Sequence, residues 1–273
     1  MNVYVIDAFP GLGAFSLVAK QMGHRLLKVV DDRQDVLNLF AQNVPCDRAT
    51  LGLITYDDDA DDALLTATAS AVRKIREVAG NVVHLHAAPY LDSKTQKRRL
   101  QILQRMLREW QPDTWDFVFN KKPKEPNMCQ NMLSVDTAIC GVPQSKRLYV
   151  CGRGFVLNTR AVTHVLPADV LCLGGRYMLR LPTRWTESAG RRSYCRSLSV
   201  PAYTVSPRSL KVYDSHTDAI VRSLSPSECA QLQGFHNYPQ LALPCRSTHA
   251  YLLISSSIPP QVCECVLLGM AWK

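Results

Sequence analysis

The chain has 273 residues, of which 47% are hydrophobic and 20% are charged, enough for one sizeable core with a small appended lobe. Its formal net charge of +9 suits a polyanionic partner such as nucleic acid, although charge alone says nothing about the fold. No apolar run is long enough to span a membrane, so we expect no membrane partner.

The ten cysteines are scattered along the chain, and no Cys-x-x-Cys pair is present. Their spacing does not match a zinc site, and we predict no bound metal. No signal peptide is recognisable at the start of the sequence. We therefore interpret the cysteines as reduced, mostly buried thiols and expect an intracellular reducing compartment, such as the nucleus or the cytoplasm.

Residues 3–15 predict a short apolar strand, a tight glycine turn and then a helix. Gly11 and Gly13 permit a backbone path that other residues resist, and they let a ligand approach the main chain closely. The helix would point unpaired N–H groups and its positive dipole end toward that ligand. A plain turn between a strand and a helix has the same pattern, so this stretch alone leaves both interpretations open.

A second strand is predicted over residues 25–30, and it ends at Asp31 and Asp32. In a doubly wound α/β sheet, a carboxylate at this strand end is placed to accept hydrogen bonds from a ribose. Asp32 can instead cap the helix that runs to about Asn43. Because there are two aspartates, a ribose role for Asp31 and a capping role for Asp32 are compatible.

The acidic residues 57–62 predict a solvated loop ahead of a helix over residues 63–78. They lack the glycine hinge of a calcium loop, which disfavours a metal site. In the next strand, over residues 81–86, His84 and His86 fall on one face by strand alternation. Further metal ligands are not identifiable, and we interpret both as structural histidines.

A helix over residues 95–110 combines an apolar stripe with a basic face. The stripe should pack on the sheet, and the basic face should look outward, where it is either solvated or in contact with phosphates. The basic residues are Lys97, Arg98, Arg99, Arg105 and Arg108. A further strand, over residues 115–120, runs into a polar loop broken by prolines.

The second half of the chain has weaker patterns. Two strands at the far edge of the sheet are predicted within residues 141–151, and residues 153–201 read as an irregular basic region. A capping box at residues 225–228 predicts a helix that ends near Gly234. A mostly apolar last helix, over residues 260–270, should be buried.

Three stretches resemble motifs of the C5-cytosine methyltransferase family of DNA and tRNA enzymes, in the same order. Residues 7–15 are similar to the family's cofactor loop, Asp/Glu-Leu-Phe-x-Gly-x-Gly-Gly-Phe, and residues 141–147 to Gly-Val-Pro-Gln-x-Arg-x-Arg. Residues 222–235 resemble Arg-x-Leu-Thr-x-x-Glu-x-x-x-Leu-Gln-Gly-Phe nearly residue for residue. Each motif is modest alone, but together they span most of the chain.

The resemblance implies an α/β fold of the Rossmann-like, S-adenosylmethionine-dependent methyltransferase type. Such a fold has a mostly parallel seven-stranded sheet with helices on both faces. It implies a catalytic-core domain at residues 1–152, and a C-terminal part at residues 201–273 that returns to this core. Between them, residues 153–200 form a short basic region, too short for a full-size target-recognition domain.

By the same resemblance, S-adenosylmethionine or S-adenosylhomocysteine would lie at the ends of the first two strands. The residues implied in cofactor binding are Asp7, Phe9, Gly11, Gly13, Asp31 and Asp32. Phe9 and the two glycines would lie at the methionine and adenine moieties, and Asp31 would take the ribose. Whether the cofactor still binds is left open by departures from the family pattern.

These departures concern the chemistry. The family attacks C6 of the base with a cysteine thiolate, and here Tyr90 stands at that position. A glutamate holds the base at N3, and here Phe119 stands where it is expected. Leu53 replaces the acid that contacts adenine. The late Gly-Asn-x-Val-Pro-Pro motif is replaced by Ser-Ser-Ser-Ile-Pro-Pro at residues 255–260.

The departures predict a catalytically inactive, methyltransferase-like protein, a pseudoenzyme that acts as a nucleic-acid-binding, regulatory or structural subunit. The predicted contacts with DNA or RNA are Lys146 and Arg147, which remain from a Gln-x-Arg-x-Arg segment that is one residue short, and Arg191 and Arg192. A protein partner or a larger nucleoprotein complex also fits the sequence.

An alternative is an active S-adenosylmethionine-dependent enzyme with an altered acceptor, which would use Tyr90 or Asp92 as a general base. A replacement nucleophile would have to come from elsewhere, and Cys129 and Cys140 lie in the right half of the chain. Nothing in the sequence places either thiol at the cofactor, and we interpret both as buried structural cysteines.

Overall fold

A seven-stranded β-sheet forms the centre of the structure, which is a computed structural model. The structure describes residues 2–91, 95–123, 132–145, 147–154, 156–159, 171, 177–180, 200–201, 211–217 and 219–270. Several residues singled out from the sequence lie outside these ranges, namely Lys146, Arg191, Arg192, Asp92 and Cys129.

Strands and helices alternate through the first half of the chain. The strands described are β1 (Asn2–Ala8), β2 (Arg25–Asp31), β3 (Leu51–Leu53), β4 (Asn81–Ala87), β5 (Thr114–Phe119), β6 (Met132–Asp136), β7 (Gln144–Ser145), β8 (Arg147–Arg153), β9 (Tyr177–Arg180), β10 (Val200–Pro201), β11 (Lys211–Asp214) and β12 (Ala219–Ser223). The α-helices described are α1 (Ala14–Gln21), α2 (Gln34–Asn43), α3 (Asp58–Arg76), α4 (Gln96–Trp110), α5 (Pro226–Leu232), α6 (Ser247–Ser256) and α7 (Pro260–Leu268).

The large sheet has the strand order β3-β2-β1-β4-β5-β8-β6. Neighbouring strands from β3 to β5 are parallel, and β8 runs antiparallel to β5. This confirms the predicted α/β fold with a mostly parallel seven-stranded sheet. The chain builds outward from β1 through β2 and β3 and then returns on the other side through β4. The strand order therefore reverses between β1 and β4, and open α/β sheets bind ligands at such a point, outside the carboxyl ends of the strands.

Helices cover both faces of the sheet because side chains alternate along each strand. On one face, Ile6, Leu85 and Phe117 are fully buried in a cluster that includes apolar residues of α3 and α4. On the opposite face, Val29 of β2 packs with Leu37 and its neighbours in α2. The two apolar layers hold the strand ends of β1, β2 and β4 in fixed positions.

The helix α3 begins at Asp58, earlier than the sequence predicted. Asp57 caps it, since its side chain accepts a hydrogen bond from the backbone N–H of Asp59 at 3.2 Å. Asp58, Asp59 and Asp61 lie in the first turn, where the helix dipole favours negative charge. The acidic run is therefore the start of a helix and not the loop that was predicted.

The strand β8 is not at the edge of the sheet, as the sequence suggested, but lies between β5 and β6. The first of the two strands predicted within residues 141–151 is reduced to β7, because a turn after the 3₁₀ helix Thr137–Cys140 takes up the start of that range. Gly141 has a φ angle of +76° there, and Pro143 has no N–H to donate to a strand pair. Only β7 forms, and it pairs in parallel with β10.

The chain packs as two compact units. The first consists of Met1–Val135, Leu148–Asn158 and Cys263–Lys273, and the second of Asp136–Arg147 and Thr159–Val262. The first unit holds nearly all of the large sheet. The division at residues 152 and 200 that the family resemblance implied stays a prediction.

The second unit contains a small antiparallel sheet of β9, β11 and β12 and the predicted capping box. The Ser225 hydroxyl accepts a hydrogen bond from the Glu228 N–H at 3.2 Å, and the Glu228 carboxylate accepts one from the Ser225 N–H at 2.8 Å. Arg222 donates to both carboxylate oxygens of Glu228 at 2.7 Å. The helix α5 follows, and Gly234 lies just after it with a φ angle of +101°. The predicted helix start and end are thus confirmed.

The helix α6 was not predicted, and it bears on the membrane expectation. By length and composition alone, Ser247–Leu268 is apolar enough to cross a membrane, with a mean hydropathy of 1.3, so the expectation that no such run exists was wrong. The stretch is made of α6 and α7, and 72% of its apolar window is buried inside the protein. Buried core helices have this same composition, so the stretch is weak evidence for a membrane span.

The cysteines follow the prediction only in part. Cys140, Cys229 and Cys263 are buried, as expected. Burial raises the pKa of the Cys229 thiol to about 12, which keeps it protonated and unreactive. Cys151 on β8 is disulfide-bonded, which corrects the expectation that every thiol is reduced. The cellular compartment stays a prediction.

Candidate functional site

The carboxyl ends of β1, β2 and β4 meet at one edge of the sheet and form the candidate site, which we call the crevice. Phe9 and Gly11 follow β1, Asp31 ends β2 and Asp32 follows it, and Tyr90 follows β4. Since the strand order reverses beside β1, this is where a doubly wound sheet is expected to hold a ligand.

The glycine turn after β1 is required by packing. Gly13 is the N-cap of α1 and has a φ angle of +87°, which side chains other than glycine resist. A Cβ atom at this position would lie 2.9 Å from Val44 Cγ2 and 3.0 Å from Phe40 Cδ2. The close approach of α1 to these residues at the end of α2 therefore explains Gly13 without any ligand.

Asp31 is buried at the end of β2, where it is 4% exposed. Its Oδ1 atom accepts a hydrogen bond from the Arg33 N–H at 2.9 Å. Burial, together with the adjacent charge of Asp32, raises the pKa of Asp31 well above its usual range, although Arg99 opposes this. The predicted ribose acceptor is therefore a buried carboxyl group with a raised pKa that already accepts a hydrogen bond within the protein.

Asp32 does not cap α2 but forms an ion pair with Arg99 of α4. Arg99 donates from Nε to Oδ2 and from Nη2 to Oδ1 of Asp32, both at 2.9 Å. Burial alone would raise the pKa of Asp32, but the hydrogen bonds and charge of Arg99 outweigh it and lower that pKa. Both carboxylate oxygens are thus engaged within the protein.

The prediction that Arg99 lies on the outward basic face of α4 was wrong, since it is 9% exposed. It also donates from Nη1 to the Tyr90 carbonyl at 2.6 Å, and its guanidinium carbon lies 5.2 Å from the centroid of the Phe9 ring. The sequence held a signal for this position. Arg99 is three, four and seven residues before Ile102, Leu103 and Met106, so it belongs to the apolar stripe by helical spacing.

Tyr56 is a second residue of the crevice that the sequence did not identify. Its hydroxyl donates to Oδ2 of Asp32 at 2.8 Å. Phe9 and Tyr56 have φ angles of +58° and +61°, which are costly for aromatic residues. The Phe9 conformation is held by a hydrogen bond from its N–H to the Val30 carbonyl at 2.7 Å. Backbone strain therefore lies on both sides of the Asp32–Arg99 pair.

Tyr90 and Phe119, where the sequence resemblance places the family's catalytic residues, both contact other parts of the protein. Tyr90 is half-buried, and its carbonyl is held by Arg99. Phe119, the last residue of β5, is fully buried in the core with its ring against Phe117. The following residue, Asn120, accepts a hydrogen bond from the Leu91 N–H at 3.0 Å and so ties the loop after β4 to the end of β5.

Asp7 lies behind the crevice in a buried polar network on the opposite side of β1. The Ser16 hydroxyl donates to Oδ2 of Asp7 at 2.6 Å, and burial raises the pKa of this carboxyl group. His84 and His86 bracket Asp116, with His84 Nε2 at 2.7 Å and His86 Nδ1 at 2.8 Å from its two oxygens. This agrees with the structural role predicted for the histidines, while Asp116 itself was missed.

The remaining positions that departed from the family pattern are an exposed leucine and serines that bond to the backbone of their own helix. Leu53 ends β3 and is 38% exposed. The hydroxyls of Ser255 and Ser257 donate to the carbonyls of Leu252 and Leu253, both at 2.8 Å, so they satisfy the end of α6.

The predicted nucleic-acid contacts are described only at Arg147, which is exposed at the start of β8. Within the described residues there is no group of three or more histidine, cysteine, aspartate or glutamate side chains that could hold a metal ion.

The sheet order, the glycine turn and the paired aspartates define a protein with a Rossmann-like methyltransferase fold, and comparison with solved structures agrees. The chain is similar to an E. coli protein described as a DNA modification methyltransferase encoded within a prophage, with a TM-score of 0.64 and 15% identity over 97% of both chains. It is similar to the S. pombe Dnmt2 methyltransferase, with a TM-score of 0.62 and 13% identity over 97% of this chain and 96% of that one.

A third similar structure is the Entamoeba histolytica methyltransferase EhMeth, with a TM-score of 0.53 and 10% identity over 97% of this chain and 96% of that one. No protein-family model and no curated protein sequence matches the chain. At these identities the likeness is one of fold, and it extends over nearly the whole chain.

Proposed function

We propose that this protein is a catalytically inactive relative of the C5-cytosine methyltransferases that binds nucleic acid. The burial of Phe119 carries the proposal. A phenyl ring that is 0% exposed inside the core offers neither a carboxylate nor access to a base at the position where the family's glutamate is expected.

The chemistry of the family needs two groups that act together, a thiolate nucleophile and an acid that holds the base. Here a phenol, Tyr90, stands at the first position and a hydrocarbon, Phe119, at the second. Loss of members of one catalytic unit costs many orders of magnitude in rate, and restoring one of them recovers little. This supports a chain that retains the fold without methyl transfer to cytosine.

The distribution of charge supports the nucleic-acid part of the proposal. Residues 153–200 contain eight arginines, no lysine and two carboxylates, so they hold most of the chain's net charge of +9. Arginine is well suited to phosphate because its planar guanidinium donates bidentate hydrogen bonds. The E. coli structure named above is described as a DNA modification methyltransferase, which makes DNA the first polyanion to test.

The alternative of an altered acceptor rests on the glycine turn and Asp31. Gly13 is explained by its contacts with α2, and Asp31 is buried, so neither favours the alternative.

Two assays test the proposal. With labelled S-adenosylmethionine, the purified protein should transfer no methyl group to cytosine in DNA or tRNA, and label at C5 would refute inactivity. Binding to DNA and to RNA should weaken steeply as salt rises, since neutralised phosphates release counterions.

A charge-matched pair of variants locates the contact. The Arg191→Ala/Arg192→Ala variant should lower the slope of log affinity against log salt by about 2. The Lys97→Ala/Arg108→Ala variant removes the same charge from the exposed face of α4 and should leave the slope nearly unchanged. Absence of salt-dependent binding to either nucleic acid would refute the binding role.

A further inference from the structure

The crevice has its polar groups satisfied from within the protein. Asp32 accepts two hydrogen bonds from Arg99 and one from Tyr56, at distances of 2.8 to 2.9 Å. Asp31 is buried and accepts a hydrogen bond from the Arg33 N–H at 2.9 Å, and Phe9 is 3% exposed, with its ring centroid 5.2 Å from the Arg99 guanidinium carbon. The residues that would hold an S-adenosyl nucleoside are present, but in this arrangement they do not fit one.

We propose that the Arg99 side chain is an internal occupant of the crevice and excludes S-adenosylmethionine from it. The guanidinium contacts three groups at the strand ends at once, the Asp32 carboxylate, the Tyr90 carbonyl and the Phe9 ring. This proposal extends the proposed function and rests on it in one respect: a chain that transfers no methyl group needs no methyl donor.

A nucleoside cannot replace Arg99 without leaving charge unbalanced. Asp31 and Asp32 are adjacent, and the Arg99 cation opposes both the burial and the Asp32 charge that raise the pKa of Asp31. Ribose hydroxyls are neutral donors, so they satisfy hydrogen bonds but not charge. Breaking a buried ion pair by removing one partner leaves the other desolvated and uncompensated, which is strongly unfavourable. The Asp32–Arg99 ion pair therefore excludes the nucleoside through its charge as well as through the volume of the Arg99 side chain.

Calorimetric titration with S-adenosylmethionine and S-adenosylhomocysteine tests the proposal. The wild-type chain should show no binding at millimolar ligand. Arg99→Ala, checked for folding by circular dichroism, should bind both nucleosides measurably. Its dissociation constant should lie at least tenfold below the highest ligand concentration at which the wild-type chain shows no binding, a gain of at least about 1.4 kcal/mol. Arg108→Ala is the matched control, because it removes an exposed arginine of the same helix and should behave as wild type.

The single variant leaves Asp32 without its cation, so a second variant is needed in case it does not fold. Arg99→Met/Asp32→Asn removes both charges and keeps the side-chain volumes, a change that buried ion pairs often tolerate. It should bind the nucleosides at least as well as Arg99→Ala. If both variants fold and neither binds, Arg99 is not what excludes the ligand, and the proposal is overturned.

Micromolar binding by the wild-type chain would also overturn it. That outcome is distinct from failure of the proposed function, because a chain that binds the nucleoside, transfers no methyl group and binds DNA refutes only the role of Arg99. A chain that binds neither the nucleoside nor any nucleic acid refutes only the binding function.

Discussion

The buried carboxylate Asp116 should be among the most important polar residues for stability, although the sequence did not point to it. It accepts hydrogen bonds from His84 at 2.7 Å and from His86 at 2.8 Å, and all three side chains are buried. Burial alone would raise the pKa of Asp116, but the charge of His86 and the hydrogen bonds from both histidines outweigh it and hold it at about 2.

We expect Asp116→Asn to lower the free energy of unfolding by about 2 to 3 kcal/mol at neutral pH. The difference between a pKa of about 2 and the ordinary value of 3.8 corresponds to about 2 kcal/mol. Removing one partner of a buried charge pair costs about 3–5 kcal/mol, and asparagine reduces that cost because it still accepts from one histidine. Urea unfolding followed by circular dichroism measures the difference.

The pH dependence gives a second readout of the same network. Burial lowers the pKa of His86, but Asp116 and Asp7 outweigh it, so this pKa is raised above 6.5. A raised histidine pKa gives stability that is complete below about pH 6.5 and is lost as pH rises through the folded-state value. Asp7, His84 and Cys263 also face this network: burial lowers the pKa of His84, and it raises the pKa values of Asp7 and Cys263.

Wild-type stability should therefore fall as pH rises above about 6.5 and through the raised folded-state pKa of His86, and the fall should be smaller in Asp116→Asn. The raised pKa of Asp31 also makes stability fall as pH rises. Because the Asp31 side chain is remote from the substitution, this contribution is the same in wild type and variant and cancels in the comparison. Asp113→Asn, at a half-exposed surface carboxylate, is the control for a lost charge. Equal pH slopes in wild type and variant, or a loss below about 1 kcal/mol, would refute a stabilising ion pair at Asp116.

Three further predictions concern the turn, the helix cap and the chemistry. Gly13→Ala should lower the free energy of unfolding in urea by about 2–4 kcal/mol, since it places an alanine in the left-handed region and adds a clash with Val44. An unchanged urea midpoint of the variant, measured without ligand, would contradict this. Ser225→Ala removes the capping hydroxyl and should cost about 1 kcal/mol in urea unfolding, with wild-type stability as the contrary result. Tyr90→Cys should give no C5 methylation in the labelled-cofactor assay because Phe119 cannot hold a base, and substantial activity would show that Phe119 is not at the glutamate position.

The sequence predicts the fold well where the signal is local. The apolar strands, the glycine turn and the Ser225 capping box are each specified by a few neighbouring residues, and their order along the chain resembled one family. Errors occurred where tertiary context decides. Nothing local to residues 141–144 shows that β8 is inserted between β5 and β6, since that placement depends on pairing between distant strands.

The candidate site was harder to predict, because its residues act as partners of one another. The sequence around Asp32 is typical of a helix cap, and the sequence around Arg99 is typical of a basic helix surface. Each prediction is reasonable when its residue is considered alone. Only the fold brings their side chains to a distance of 2.9 Å, because 67 residues separate them along the chain. Helical spacing did place Arg99 among apolar residues, and a buried arginine requires a partner, so that signal was available.

The substitutions around the crevice are consistent with one another in physical terms. An arginine at position 99 is tolerable in a buried place only with a carboxylate beside it, and Asp32 supplies that carboxylate. If that pair excludes the methyl donor, as proposed above, a thiol at position 90 and an acid at position 119 would have no bound donor to serve. Phe119 instead adds apolar area to the core, and the Tyr90 carbonyl anchors Arg99. The Phe119 ring thus contributes to stability at the position where the resemblance places the family's glutamate.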